Sequence, residues 1–440
     1  MWSRATETAT RLAKSFDELA PKSWFRTAVA IGFAVMHLIL FAQAGHARLG
    51  VPFNSHPDEA PYFSNPNAPA TRIFPRQPHN WSRLVVSRWD SQHYIGTAVR
   101  GLSACPKDPD TAPNVAYLDC GLGWLPAYGA IGYTVASVTG LAEDVSIELV
   151  SLICAVIVNL LWTHKAFTER IGRRESYLAL LAFNLFPTAF YMVTPYTEAM
   201  TLALCLGAYI MITKDRWVMA GLMVGASTAL RISSVAFGVA LGCTALVAAW
   251  RKRRDKEKRW WWPLLSIPLV GWGQLVEMLA IKAIVNTAYG FWRARKAFGD
   301  KHDLDRFVQP TWFLKGLGAQ HMDIVIYGAI VGILAMFGRE VIKKFKPEEA
   351  IYLGVATLMT MILVVLAPLE YWGMNRYMLM CPLAFVAMAF MAKRHTLLFV
   401  LWLVFCIAFY WHIEMCSYVA QGNPEICPCL GRFEFAMPMQ

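Results

Sequence analysis

Apolar residues run through this chain in blocks of spanning length, and most blocks are closed by a short burst of lysine and arginine. A bilayer core needs roughly 20 apolar residues per helix. The blocks near 25–43, 146–164, 177–194, 197–213, 217–232, 234–250, 261–284, 322–338, 349–367, 375–392 and 396–413 are therefore predicted spans, about eleven in all. The basic runs at 165–174, 214–216, 251–259, 339–346 and 393–394 belong on the cytoplasmic side. With an inside amino terminus, residues 44–145, 195–197, the junction near Ser233, 285–321, 368–374 and the tail from Glu414 fall outside.

The block at 122–141 does not fit this alternation, because one crossing there would carry the 165–174 run outside. Gly121, Gly123, Pro126, Gly129, Gly132 and Gly140 suit broken backbone lining a cavity, so a re-entrant hairpin or a pair of half-helices is expected, with two complete crossings as the alternative. No cleavable signal peptide is expected, since residues 1–22 carry charges throughout and the first apolar run has full spanning length. Trp2, Ala5, Ala9, Leu12, Phe16 and Leu19 recur at helical spacing; a helix on an anionic membrane face and a solvated tail both accommodate them.

Composition agrees with lipid as the solvent: 56% hydrophobic, 16% charged, with 17 Trp and 25 Phe, exceeds what a soluble core of this size hides. The expected fold class is an all-α integral membrane protein, a single domain over 1–440 of about eleven spans plus the hairpin or extra helix pair. The net charge of +11 would otherwise point to nucleic acid, but its cations are confined to short bursts between apolar blocks. The bilayer is the expected partner and nucleic acid is not. Neither an internal repeat nor a low-complexity stretch is present.

Three stretches are expected outside the bilayer. The loop at 44–120 turns amphipathic from Trp81, where Leu84, Val85, Trp89, Tyr94, Ile95 and Val99 predict a helix along the outer interface with Arg88 and Asp90 near its middle. The loop at 285–321 mixes Tyr289, Phe291, Trp292, Phe298, Phe307 and Trp312 with Arg293, Arg295, Lys296 and Arg306, which suits headgroup depth and lipid phosphates. The tail at 414–440 carries Cys416, Cys427 and Cys429. Of the ten cysteines, Cys154, Cys205, Cys243, Cys381 and Cys406 fall in spans. On an oxidising outer face Cys105 can pair with Cys120, and two tail cysteines can pair with each other. A zinc site from the tail cysteines and His412 would lack the usual CxxC spacing.

The chemistry concentrates in Arg88-Trp89-Asp90-Ser91-Gln92-His93-Tyr94. A carboxylate near an apolar cavity is pulled towards neutrality by desolvation and towards ionisation by a cation such as Arg88, so Asp90 can be tuned as a base for a hydroxyl. Trp89 and Tyr94 can stack on a sugar ring, and His93 can orient the carboxylate or bind a phosphate; all three also serve as interface anchors elsewhere. Further on, Tyr196-Thr197-Glu198 opens a helix, with Thr197 as cap and Glu198 in the first turn. A carboxylate at that depth requires a partner, and Arg231, at the outer end of the next hairpin, is the obvious one. Arg376, in Asn375-Arg376-Tyr377, stands at the outer end of a later span. Two arginines at one rim suit a leaving phosphate whose charge grows as a sugar C1–oxygen bond breaks, though each alone also suits a snorkelling anchor.

These elements, with Gly123-Trp124-Leu125-Pro126-Ala127-Tyr128 and the Asn184 to Glu198 stretch, resemble the family of the second GPI mannosyltransferase (PIG-V) and its bacterial relatives over roughly residues 80–390. The resemblance implies a GT-C glycosyltransferase that transfers mannose. Its donor would be a polyprenyl- or dolichyl-phosphate sugar and its acceptor a lipid-linked or glycolipid hydroxyl, with inversion and no nucleotide sugar. Asp90 would be its essential acid; Arg88, His93, Arg231, Arg376 and Tyr377 would bind the donor phosphate, supported by Trp89, Tyr94, Tyr196 and Glu198. Lys301, His302 and Asp303 would belong to the acceptor pocket. No cofactor is required by this reading, although acidic residues in a phosphate site could bind a divalent cation. The membrane would be a bacterial plasma membrane or the endoplasmic reticulum, with the site on the outer or luminal face. The sequence departs from the family pattern at Leu230-Arg231-Ile232-Ser233-Ser234, which lacks an Asn-Gly, and in its cysteine-bearing tail. A transporter or flippase of lipid-linked sugars is the rival, and a scaffold for other glycosyltransferases a third reading in which Asp90 is dispensable. Transporters bind near the midplane between inverted repeats, whereas here the ionisable residues gather at one rim.

Overall fold

The computed structural model describes residues 16, 18–48, 90–103, 105–297, 322–366 and 374–412, and among them every regular element is helical. In chain order the helices are α1 (Ser23–Arg48), α2 (Asp90–Arg100), α3 (Asn114–Asp119), α4 (Ala127–Thr139), α5 (Glu143–Trp162) and α6 (Lys165–Ile171). Then come α7 (Arg173–Asn184), α8 (Glu198–Thr213), α9 (Trp217–Leu230), α10 (Val235–Arg254), α11 (Trp272–Val285) and α12 (Gly290–Ala297). The last are α13 (Met322–Ile342), α14 (Pro347–Val365), α15 (Met374–Met378), α16 (Pro382–Arg394) and α17 (Thr396–His412). Six helical stretches, Ser23–Leu40, Glu143–Ile171, Ile232–Arg254, Trp262–Val285, Ile324–Ile342 and Pro347–Val365, are long and apolar enough to cross a bilayer. The architecture is that of a multi-pass membrane protein.

Proline breaks several predicted spans. Pro263 and Pro268, which cannot donate a backbone hydrogen bond, turn the first half of 261–284 into the 3-10 segments Trp262–Ser266 and Pro268–Gly271. Pro382 starts α16 and separates it from α15. After Asn184 the chain leaves α7, passes Pro187 and Pro195 with one 3-10 turn at Ala189–Met192, and re-enters helix at Glu198. Nearly all of that irregular stretch is buried in protein, as backbone outside a helix must be at membrane depth.

At the centre stands α16, buried at every position from Pro382 to Ala392 and packed on by α7, α13, α14 and α17. A helix apolar on all sides belongs there. The periphery is equally apolar: Leu275, Val276 and Leu279 of α11 and Leu397, Leu401 and Val404 of α17 are exposed. Such a surface needs lipid as its solvent.

Ion pairs gather the basic runs at one end of the bundle. Arg170 reaches Glu349 at 2.7 Å, Arg251 reaches Glu348 at 2.7 Å, Lys252 reaches Asp215 at 2.8 Å, Lys393 reaches Glu175 at 3.1 Å and Arg394 reaches Glu340 at 3.0 Å. Two of these pairs join one run to another, 251–259 to 214–216 and 393–394 to 339–346, and the rest reach acids just beyond a run.

Three expectations are corrected. The 122–141 block forms neither a hairpin nor two half-helices: a turn leads into the single 13-residue helix α4, about 20 Å long at 1.5 Å per residue and short of a crossing. Gly129 and Gly132 serve close packing, while Gly140, at φ +73°, ends α4. A Cβ on Gly129 would lie 2.7 Å from Thr97 Cβ and 2.9 Å from the Tyr94 carbonyl oxygen, so the missing side chain is what lets α2 lie on α4. Secondly, the described part of the expected interfacial helix, α2, packs into the protein: Ser91, Tyr94, Ile95 and Ala98 are buried on α4 and α5, and Val99 points outward.

Thirdly, Arg293 does not face lipid phosphates. Its Nε donates to Asn114 Oδ1 at 2.9 Å, its Nη2 to the Ala112 carbonyl at 2.6 Å and its Nη1 to the Pro109 carbonyl, with the guanidinium 4.7 Å from the Tyr117 ring centroid. It clamps α12 to the loop that the Cys105–Cys120 disulfide closes, as expected for those two cysteines. Within that loop the Thr111 hydroxyl, then the Asp110 amide, donate to Asp108 and hold its carboxyl below the usual range. The tail cysteines and Lys301, His302 and Asp303 lie outside the described residues.

Candidate functional site

At the end of the bundle away from the ion-paired basic runs, two helix boundaries meet. Glu198 is the first residue of α8, and Arg231 follows the last residue of α9 in an extended conformation before the 3-10 turn Ile232–Ser234. The packing of α8 on α9 brings the two boundaries side by side. Arg376 comes from the short helix α15, which packs on α13 and α14.

The three side chains converge. Arg231 Nη1 lies 2.5 Å and Arg376 Nε 2.8 Å from the same oxygen, Glu198 Oε1, as ion pairs whose angles fall outside hydrogen-bond alignment. Glu198 is fully buried and Arg231 is 8% exposed. Arg231 is further fixed by its Nε, which donates to Ser233 Oγ at 2.8 Å, and by the Tyr377 ring, whose centroid is 4.4 Å from its guanidinium carbon. Arg376 sits 5.3 Å from Tyr196, 5.5 Å from Tyr191 and 5.6 Å from Tyr377. Each ring face offers negative quadrupole to a guanidinium, so the tyrosines stabilise cations that burial would otherwise penalise.

Polar capacity remains in this cluster. Glu198 Oε2, Arg231 Nη2, Thr197 Oγ1 and Thr201 Oγ1 are buried without a hydrogen-bond partner among the described residues. Thr197 occupies the N-cap position of α8, but its side chain makes no capping bond, contrary to expectation: its backbone is already αR, with φ −78° and ψ −10°. Most native buried polar groups are satisfied. All four lie in the first turn of α8, at its cap, or just past the end of α9.

From this centre the contacts continue to α2. Tyr196 meets Tyr94 edge-on at 6.4 Å, and Tyr94 meets Tyr128 at 5.3 Å; Tyr128 hydrogen-bonds Ser151. His93, the residue before it on α2, stacks on Trp124 with ring centroids 3.4 Å apart and planes within 7°. Glu198, Arg231, Arg376, Tyr377, Tyr196 and Tyr94 are thus brought together, and His93 lies beside them on the Trp124 face. Asp90 opens α2 one turn ahead of His93 and Tyr94, and its side chain is not among the described ones; Arg88 and Trp89 lie outside the described residues.

Two polar features escaped the sequence reading. Glu277, alone within an apolar span, is buried and accepts the Ala127 amide at 2.6 Å, so a carboxylate from α11 caps α4 just past Trp124. A second chain crosses four helices. Asn159 Nδ2 donates to the Ala30 carbonyl at 3.2 Å, Asn184 Nδ2 to Asn159 Oδ1 at 3.0 Å, and His37 bridges Asn184 Oδ1 at 3.3 Å and Tyr410 Oη at 2.6 Å. The signal for both was present as isolated polar residues inside apolar blocks. Among the described residues no cluster of His, Cys, Asp and Glu could hold a metal ion. No protein-family model matches the chain, and no curated protein is detectably similar to it.

Proposed function

We propose that this chain is a membrane glycosyltransferase of the GT-C type, transferring mannose from a polyprenyl- or dolichyl-phosphate donor to a lipid-linked or glycolipid hydroxyl with inversion. The observation that carries the proposal is the pair of guanidiniums, Arg231 and Arg376, held on one buried carboxylate oxygen within a tyrosine cage. In the proposed reaction the C1–oxygen bond breaks with its electron pair passing to the phosphate, and the second negative charge that develops there meets the two guanidiniums. The acceptor oxygen bonds C1 from the opposite face and its proton passes to Asp90. His93 on Trp124, with Tyr94 and Tyr196, offers aromatic surface for the sugar ring.

In the same proposal all the predicted spans cross the membrane, the basic end faces the cytoplasm and the arginine cluster faces outside or lumen. The Cys105–Cys120 disulfide supports an oxidising compartment for its loop. The position of the ionised cluster at one end of α8 and α9, with no repeat around it, favours a transferase over a transporter.

The test is transfer of labelled mannose from polyprenyl-phosphate mannose in membranes holding the parent chain or its Asp90→Asn variant at matched protein levels. A lipid-linked product with the parent, and at least a ~100-fold loss with the variant, is expected of a general base. Unchanged transfer by the variant would remove Asp90 from its role. Vesicles that moved the lipid-linked sugar across without transferring it would replace the transferase reading with the transporter.

A further inference from the structure

We propose that the turn joining α10 to the Trp262–Ser266 segment is a docking site for anionic phospholipid headgroups, separate from the arginine cluster and independent of the proposed reaction. The end of α10 carries four consecutive cations, and the turn beyond it three more. The first two are engaged within the protein: Arg251 by Glu348 and Lys252 by Asp215 and Glu257. Arg253, Lys256, Lys258 and Arg259 are exposed, and their side chains have no ion pair or hydrogen bond among the described residues.

Tryptophans frame these cations. Arg253 lies over the Trp260 ring at 5.4 Å and Arg254 over the Trp250 ring at 5.3 Å. A stacked guanidinium keeps its in-plane N–H groups available, the arrangement that suits a phosphate oxygen; Arg254 shares its own with Asp255 at 3.4 Å, so Arg253 offers the clearer one. Trp250 and Trp261 are themselves 61% and 43% exposed, as aromatic side chains at headgroup depth are.

Lys256 makes the clearest argument. Its φ is +59°, in the left-handed region, where it ends α10 as the Glu257 amide closes on the Lys252 carbonyl at 2.9 Å. Glycine fills such a position without steric conflict. A lysine there places a cation at the apex of the turn at the expense of backbone comfort.

A lipid, as distinct from a free anion, is indicated by what adjoins the turn. Leu265 and Ile267 are exposed immediately after it, and Leu275, Val276 and Leu279 continue that apolar outer face along α11. A headgroup on the cations thus has a lane for its acyl chains below it. Clusters of lysine and arginine next to a spanning helix attract anionic lipid surfaces in this way.

The experiment uses the full chain in phosphatidylcholine nanodiscs, with phosphatidylglycerol or inorganic phosphate added, and reads the thermal midpoint and the lipid retained in native mass spectrometry. Phosphatidylglycerol is expected to raise the midpoint of the parent, and inorganic phosphate to leave it unchanged. The Lys256→Gly, Lys258→Gln, Arg259→Gln triple variant should lose at least half of that rise and retain at least threefold less phosphatidylglycerol. Lys256→Gly alone should match or exceed the parent's midpoint in phosphatidylcholine and still bind less phosphatidylglycerol, which a purely structural lysine would not do. A full rise in the triple variant, or an equal rise with inorganic phosphate, would overturn the proposal.

Discussion

Arg231 Nη1 stands 2.5 Å from Glu198 Oε1, so the end of one short apolar helix is tied to the start of its neighbour by buried charges. The same oxygen also holds Arg376 at 2.8 Å. One carboxylate therefore keeps two mutually repelling cations in place, and its removal affects both.

Replacing Glu198 by Gln removes the carboxylate that holds the buried Arg231 and the partly exposed Arg376. Breaking a buried pair in this way costs about 3–5 kcal/mol. The variant is expected to melt well below the parent in detergent. Removing Arg231 as well, as Glu198→Gln with Arg231→Met, should recover part of that loss, because the like-charge repulsion with Arg376 goes too. Equal losses in the single and double variants would show that a stranded Arg231 is not what the single variant costs.

Arg231→Lys keeps the charge but not the fork. Lysine's compact ammonium cannot hold Ser233 and Glu198 at once while lying flat on Tyr377. Under the proposed reaction, transfer should fall about tenfold or more, with the melting temperature changing less than in Glu198→Gln. Full-rate transfer by Arg231→Lys would show that only its charge matters.

That Glu198 and Arg231 would meet was legible because carboxylates and arginines inside apolar blocks need partners. Arg376 followed from the same rule; that Tyr191 and Tyr196 would flank it did not, because a ring beside a guanidinium leaves no spacing to read. The fate of 122–141 was not legible, since glycine marks broken backbone and close helix contact alike; only the approach of Gly129 to Thr97 decides between them. Arg293 misled for a related reason. Aromatics beside cations describe both a lipid-facing loop and an arginine stacked on Tyr117 inside one. Glu277 gave a signal, a lone acid in a span, but its partner is a backbone amide at Ala127, and a backbone partner leaves no trace in sequence.

The contact at Gly129 predicts its own test. Gly129→Ala places a methyl group against Thr97 and the Tyr94 carbonyl, and overpacking of this kind costs about 1–3 kcal/mol. Gly242, in α10, has open space where its Cβ would stand. Gly242→Ala should instead stabilise by about 0.5–1 kcal/mol through helix propensity. Thermal melts of the two variants should move in opposite directions. Because α2 carries His93 and Tyr94, Gly129→Ala should also reduce transfer more than its loss of folded protein explains.

The Cys105–Cys120 bridge encloses a loop of sequence separation 15, a length for which cross-linking is worth about 3 kcal/mol in the chain-entropy account. Replacing both cysteines by serine should lower the melting temperature and make the 105–120 loop more sensitive to protease. Arg293→Ala, which removes the clamp from the other side, should produce the same protease sensitivity with the disulfide intact. Cleavage confined elsewhere in both variants would show that the loop is held by neither.

His37 offers the last test, because its hydrogen bonds fix its proton. Asn184 Nδ2 donates to Asn159 Oδ1 at 3.0 Å and to the Leu180 carbonyl at 2.9 Å, both acceptors, so the atom facing His37 is the Asn184 oxygen. His37 Nε2 must then donate to it, which leaves Nδ1 to accept from the Tyr410 hydroxyl. The chain is satisfied with a neutral imidazole and joins α1, α5, α7 and α17. His37→Phe fills the space but strands the Asn184 oxygen and breaks the bond to the Tyr410 hydroxyl, at about 1–3 kcal/mol for a buried polar group left unmet. His37→Gln, which can still donate from its amide towards Asn184, should lose less. Tyr410 packs edge-on against Phe190 at 5.8 Å, and Phe190 stacks on Tyr191 beside Arg376. A loss of stability in His37→Phe without any change in transfer would confine the chain to holding helices together; a loss of transfer beyond the loss of folded protein would show that it also steadies the arginine cluster.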